Sequence, residues 1–334
     1  MSKFSLDVLQ QNVFPFATSD DPDVLLGAAF GEDVALTRVG DDILASHVDP
    51  IVGAIGDIGW LAVHVACNDI ATSGIRPRWI QLLVLVPTIE DTELLQNIMA
   101  DVSRAAHELE ISVIGGHTGY SAGLSRPLVA VTALGTASGR EPVRTGGAQV
   151  GDRVLVTKGI ALEGTAILAE DFADVGREKG LSPEELSAGR EVMAEVSVVP
   201  EALALAELGA TAMHDVTRGG VLETLLEIAL LSDVGLEIDY DQLPIPPIVA
   251  RFAEAFDFDP LRMISSGTLA VTMPPNLVSA ARQRLAKLGV NVGEVGRVIR
   301  GKGVHVHQDG EVDYYTEIRC EEDELARMWA LYPR

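Results

Sequence analysis

Four aspartates stand where a side chain can leave the scaffold. Asp33 lies in "GEDVAL", Asp49 ends an apolar strand in "SHVDP", and Asp215 ends another in "TAMHDVTRGG". Asp69 sits inside the apolar helical stretch "GDIGWLAVHVACNDIATSGIRP", residues 56–77. Any one of them alone reads as a turn or capping residue. Four carboxylates drawn to one point would bind a hard cation such as Mg2+. Asn68 and Asp69 compete with helical backbone and are poor helix formers. A carboxylate among apolar neighbours must be paired, hold a metal or open into a site. Asn68, Asp69, Thr72 and Ser73 share one sector of the helical wheel, which earlier holds Leu61, Ala62, Val65 and Ala66. A solvent stripe would stay polar throughout. This sector turns polar only in its last turns, as a helix end reaching a polar cavity would.

Two glycine turns could hold an anion. "GGHTGY" (115–120) offers Gly115, Gly116 and Thr118 after a strand, and "DVTRGG" (215–220) offers Thr217 and Arg218 where a helix opens. Neither is a Walker A loop or a dinucleotide fingerprint. Lys158 in "LVTKGI" follows a strand, and the chain has five lysines against twenty arginines. It could neutralise a phosphate or lie on the surface. His117 could exchange protons, donate to a phosphate or serve the turn. His214 precedes Asp215, His64 reads as structural, and Cys67 as a small buried hydrophobe.

The elements that must position these groups are mixed. Residues 33–49 read as two strands joined at 40–42, followed by the apolar helix, which Gly74 and Pro77 end. "WIQLLVLVP" is a buried strand, residues 90–110 are a helix by apolar period, "ISVIGGHTGY" is a strand breaking into a glycine turn, and "PLVAVTALGTA" is a strand. Further strands are expected near 153–157, 210–215, 235–239, 268–273 and 292–308. Helices are expected near 163–170, 183–195, 200–208, 219–231, 247–256, 275–288 and 321–331. The glycine-rich connection at 146–151 divides an N-terminal domain, 1–145, from a C-terminal one, 146–334. The class is α+β in two domains.

Composition narrows the partners. The chain has 334 residues, 47% hydrophobic and 22% charged, with net charge −24. That balance argues against nucleic acid, whose phosphates need basic patches, but allows a phosphate ligand carried on Mg2+. No apolar run approaches the roughly 18 residues of a membrane helix, so no membrane partner is expected. "MSKFSLDVLQQ" lacks a basic segment followed by an apolar one, and two cysteines make no disulfide framework; a cytoplasmic protein is expected.

The ordered segments resemble the ATP-binding superfamily related to aminoimidazole ribonucleotide (AIR) synthetase. It includes thiamine-monophosphate kinase, selenophosphate synthetase and the hydrogenase-maturation protein HypE, whose pattern is the most similar. "GDIGWLAVHVACNDIATSGIRP" resembles its GDIG, apolar helix, ND and SGA-P. "MHDVTRGG" resembles its MRDPTRGG, and "EGTAILA" its HGMAILA. The resemblance implies a two-domain PurM-like fold in a homodimer, the N-terminal sheet pairing with its twin in a barrel. It implies Mg2+-ATP, with Asp49, Asp69 and Asp215, joined by Asp33, at the metal. It also implies that Gly115, Gly116, Thr118, Lys158, Thr217 and Arg218 hold nucleotide, and that His117 and Asp215 are catalytic. The shared chemistry activates an oxygen of an amide, acid, phosphate or carbamoyl-type substrate by phosphoryl transfer from ATP. A thiamine-monophosphate kinase-like enzyme and a non-catalytic nucleotide-binding scaffold are the alternatives. HypE dehydrates a carbamoyl group on a terminal cysteine, whereas Cys320 here precedes amphipathic "EDELARMWALY", whose Leu325, Met328, Trp329 and Tyr332 are spaced to dock. That reaction on this chain's own tail is therefore not expected.

Overall fold

The computed structural model describes residues 4–52, 56–319 and 322–332. They form two compact units. Residues 17–29 and 33–142 make the N-terminal unit. Residues 4–16, with the short helix α1 (Leu6–Asn12), and residues 30–32 group with the C-terminal unit, which otherwise starts at Val143.

The N-terminal unit holds β1 (Val24–Leu26), β2 (Ala35–Val39), β3 (Asp42–Val52), α2 (Ile58–Thr72), β4 (Pro77–Val86), α3 (Thr92–Glu108), β5 (Ser112–Tyr120) and β6 (Leu128–Thr136). Its strands lie in the order β1-β2-β3-β6-β4-β5, and β4 and β5 are the parallel pair. The two crossovers, through α2 and α3, place helices on one face. Register separates the faces. Val129, Val131 and Ala133 of β6 are fully buried, and they pair with Ile51, Asp49 and His47 of β3. The alternate row, Val48 with Thr132 and Pro50 with Ala130, lines the open face, where Val48 is 60% exposed.

Helix α2 is buried along all 15 residues, Asn68 and Asp69 included. The exposed-end alternative for its polar sector is thereby excluded. Its polar residues are answered locally. Trp60 Nε1 donates to Glu108 Oε2 at 2.7 Å, and His64 Nε2 lies 3.1 Å from the same oxygen. Thr72 and Ser73 donate to the carbonyls of Asp69 and Ile70.

The expected glycine turn at 115–120 is corrected. These residues continue β5, paired residue by residue with β4 from Gln81↔Gly115 to Val86↔Tyr120. A register shift between Ile80 and Gln81 absorbs one extra residue, and glycine lets the backbones approach there. A Cβ on Gly116 would lie 2.0 Å from the Leu82 carbonyl oxygen.

The C-terminal unit holds β7 (Arg153–Thr157), α4 (Leu162–Asp171), α5 (Ala173–Glu178), α6 (Pro183–Glu191), α7 (Val199–Leu208), β8 (Ala212–Asp215), α8 (Gly220–Leu231), β9 (Gly235–Asp239), α9 (Pro247–Phe256), β10 (Leu269–Met273), α10 (Val278–Lys287), β11 (Val292–Ile299), β12 (Gly303–Gln308), β13 (Glu311–Tyr315) and α11 (Glu324–Leu331). The sheet order is β13-β12-β9-β11-β7-β10-β8, antiparallel except for β12 beside β9. The stretch expected as one strand at 292–308 is two, parted at Gly301 and Gly303, both with positive φ. One apolar cluster packs α8 on the sheet. A second joins α4, α6 and α9 around Phe172, Phe252 and Phe256, and α11 closes it with Leu325 and Met328.

Lys158 lies within this unit rather than on its surface. Its ammonium is 2.7 Å from Glu201 Oε1 and donates to the carbonyls of Glu195, at 2.9 Å, and Ser197. The two side chains are 8% and 1% exposed. One ion pair and two hydrogen bonds thus occupy the lysine in pinning the turn before α7.

Two stability changes follow. Gly116→Ala should cost about 2–3 kcal/mol, because a methyl cannot enter the β4–β5 contact. Gly119→Ala, whose Cβ would meet only ordinary contacts at 3.5 Å and beyond, should stay within about 1 kcal/mol; urea midpoints compare them. Lys158→Met should cost about 3 kcal/mol at pH 8 by stranding the Glu201 carboxylate. Burial already holds that carboxyl above its ordinary range, with Lys158 opposing. Removing Lys158 raises it further. The unfolded chain ionises Glu201 near pH 4.3, the ordinary glutamate value, and the folded chain only later, so stability falls as pH rises between the two. The loss should therefore be smaller at pH 5, and equal losses at both pH values would refute the assignment.

Candidate functional site

Strand β3 and helix α2 build the first group of site residues. The helix returns antiparallel to the strand, which sets Asp69, near its C-terminal end, beside His47. His47 Nε2 lies 3.4 Å from Asp69 Oδ2, with the Asp69 side chain 8% exposed. Asp49 is two residues further along the strand and on the same, helix-covered face. Two carboxylates and an imidazole thus share the layer between β3 and α2. His47 was not singled out in the sequence, although the i, i+2 spacing in "SHVDP" carries that signal. Burial, and then the Asp69 carboxylate, push the Cys67 thiol well above its ordinary range, which suits an inert packing residue. Asp33 lies just before β2 in the same unit.

His117, Gly115 and Gly116 lie on β5, at the edge of the sheet, and are exposed, as is Thr118. His117 pairs with Leu83, whose partner on β6 is Ala130, in the open-face row. Asp49 pairs with Val131, in the covered row. Within one chain the sheet therefore stands between His117 and the pair Asp49 and Asp69.

The second group surrounds the β8–α8 connection in the C-terminal unit. Asp215, at the end of β8, has a fully buried side chain, and His214 Nδ1 lies 3.8 Å from its Oδ1. His214 Nε2 lies 2.8 Å from Glu227 Oε2 on α8, so that histidine bridges strand and helix. Thr217 and Arg218 follow in the loop. Gly219 takes φ 84° and Gly220 φ 67°, and the Glu223 carboxylate fills the space a Cβ on Gly219 would need.

Three backbone amides of this loop are engaged within the chain. Gly219 N–H donates to Asp323 Oδ2 at 3.2 Å, Gly220 N–H to the Thr217 carbonyl at 3.1 Å, and Leu222 N–H to the Leu261 carbonyl at 3.0 Å. Arg218 Nη1 itself donates to Asp323 Oδ1 at 3.3 Å. Asp323 is legible in the sequence only as a helix cap; its partners in this loop, Arg218 and Gly219, lie more than 100 residues away. Cys320 falls outside the described residues.

Comparison with known proteins adds the family. Models of the AIR synthase related protein match this chain twice, the N-terminal domain over residues 31–137 and the C-terminal domain over 149–309. Carbamoyl dehydratase HypE of Rhodobacter capsulatus is 28% identical over 263 residues, covering 78% of this chain and 74% of that one. A crystal structure of hydrogenase maturation protein HypE in complex with ATP superposes with a TM-score of 0.71 at 23% identity, covering 90% of this chain and 91% of that one. Thiamine-monophosphate kinase of Stenotrophomonas maltophilia K279a does so with a TM-score of 0.70 at 26% identity, covering 88% and 93%. With both halves matched in order, and with HypE among its relatives, this chain belongs to the AIR synthase related family and has its two-domain PurM-like α+β fold.

Proposed function

We propose that this chain binds Mg2+-ATP and uses it to activate an oxygen of a small amide, acid or carbamoyl-type substrate by phosphoryl transfer. The observation that carries the reading is Asp69, a carboxylate on a helix without a solvent face, with His47 and Asp49 in the same layer. The relative named carbamoyl dehydratase and the ATP complex of HypE support it.

The donor set fits the cation, since carboxylate oxygens suit Mg2+. Asp49 and Asp69 would hold it in the N-terminal unit, and the family resemblance assigns Asp33 and Asp215 the same work. Bound Mg2+ would supply charge neutralisation of the phosphates, and ATP the phosphoryl group. The chain's own part is positioning. Asp69 keeps its carboxylate oriented against His47. Arg218 and Thr217 offer a guanidinium and a hydroxyl to phosphate oxygens. The family resemblance assigns His117, exposed on β5, the role of proton carrier; because the sheet stands between it and Asp49 and Asp69 within one chain, that role is proposed for the dimer.

A second reading, a kinase acting on a small phosphate ester, is supported by the likeness to thiamine-monophosphate kinase. The chain is also proposed to work as a homodimer through the open face and β5 edge of its N-terminal sheet, where Val48, Leu83, Ile114 and Tyr120 are exposed.

Calorimetric titration with ATP and Mg2+ tests the reading. Asp69→Asn, nearly isosteric, should keep the fold and weaken Mg2+-dependent ATP binding about tenfold or more, about 1.4 kcal/mol. Unchanged affinity would return Asp69 to a structural role. Turnover of ATP with thiamine monophosphate alone would favour the kinase reading, and binding without any turnover a scaffold. Light scattering should give twice the 35.5 kDa chain mass; a monomer would remove the barrel.

A further inference from the structure

We propose that Asp323 is a positioning residue that holds the Thr217–Gly220 loop in its working shape through the C-terminal helix. The proposal rests on the reading above for what the loop binds, and on the structure for how it is held. Three consecutive acids at the start of α11 grip two parts of the chain. Glu322 Oε2 lies 2.6 Å from Arg262 Nη1. Asp323 accepts from Arg218 Nη1 and from Gly219 N–H. Glu324 Oε1 accepts from Asp259 N–H at 3.1 Å. The 259–262 segment in turn backs the loop, since a Cβ on Gly220 would lie 2.4 Å from the Leu261 carbonyl oxygen.

The helix behind these acids is fixed by its other face. Leu325 and Met328 are buried, and the Trp329 ring meets Phe172 edge-on at 4.7 Å between centroids. Asp323 is 5% exposed and spends one oxygen twice, on Arg218 and on Ala326 N–H, where it caps α11 at 2.6 Å. This element lies beyond residue 309, where the family match ends. A segment outside the shared domain thus holds the loop that carries Thr217 and Arg218. With Gly219 N–H satisfied and Arg218 engaged through Nη1, the guanidinium has a fixed direction. A flexible arginine would have to surrender that freedom on meeting an anion.

Asp323→Asn separates the two duties of this side chain. Asparagine caps a helix as well as aspartate does, so α11 should stay docked. It cannot supply the charge that Arg218 and Gly219 N–H share. Amide hydrogen exchange and titration with Mg2+ and a non-hydrolysable ATP analogue read the consequence. Expected are exchange about tenfold faster across residues 217–222, unchanged protection across 325–332, and affinity about tenfold weaker. Unchanged exchange at 217–222 would overturn the proposal. Equal loss of protection in both segments would also overturn it, leaving Asp323 a helix cap. Failure of the unaltered chain to bind the analogue would instead refute the ATP reading, and the exchange result would still decide whether Asp323 holds the loop.

Discussion

A helix without a solvent side governs the N-terminal unit. Every residue of α2 is buried, so each polar group on it must be answered from within the protein. Glu108 answers Trp60 and His64. The helix backbone answers Thr72 and Ser73. Asp69 faces His47 on the neighbouring strand. Such a helix would pack more simply with alanine or leucine at position 69. The carboxylate is tolerated because β3 lays a polar row, His47 and Asp49, against it.

The same strand serves two surfaces. Its odd-numbered residues from Ala45 to Ile51 face the helices, and its even-numbered residues from Leu44 to Val52 face the open side. Acidic chemistry on one side and an apolar surface on the other therefore come from one continuous pairing with β6. A slip of one residue would exchange them. The nine-residue antiparallel register between β3 and β6, from Leu44↔Thr136 to Val52↔Leu128, is what prevents it.

Much of this was legible in the sequence, and the failures have physical causes. The apolar period marks α3, the apolar stretch marks α2, and the polar sector near the end of α2 points to Asp69 as an internal acid, which its burial bears out. The docking of α11 followed from the spacing of Leu325, Met328, Trp329 and Tyr332, which the structure places on the aromatic cluster. The glycines at 115–116 misled because glycine marks both turns and close strand approach, and only the partner strand distinguishes them. The pairing that draws Lys158 inward is with Glu201, 43 positions later. Pairings across such distances, like that of Asp323 with Gly219, leave no mark in local pattern.

The grip of α11 on the β8–α8 loop also orders the birth of the molecule. The ribosome delivers Thr217 to Gly220 about a hundred residues before Asp323. Strands and helices around the loop can therefore assemble while its final partner is still untranslated. During that interval Arg218 and the Gly219 amide lack the carboxylate that later engages them. A nascent or prematurely terminated chain would carry much of the C-terminal sheet together with an unfinished loop. Completion of this part of the protein is thus tied to the emergence of residues 322–332.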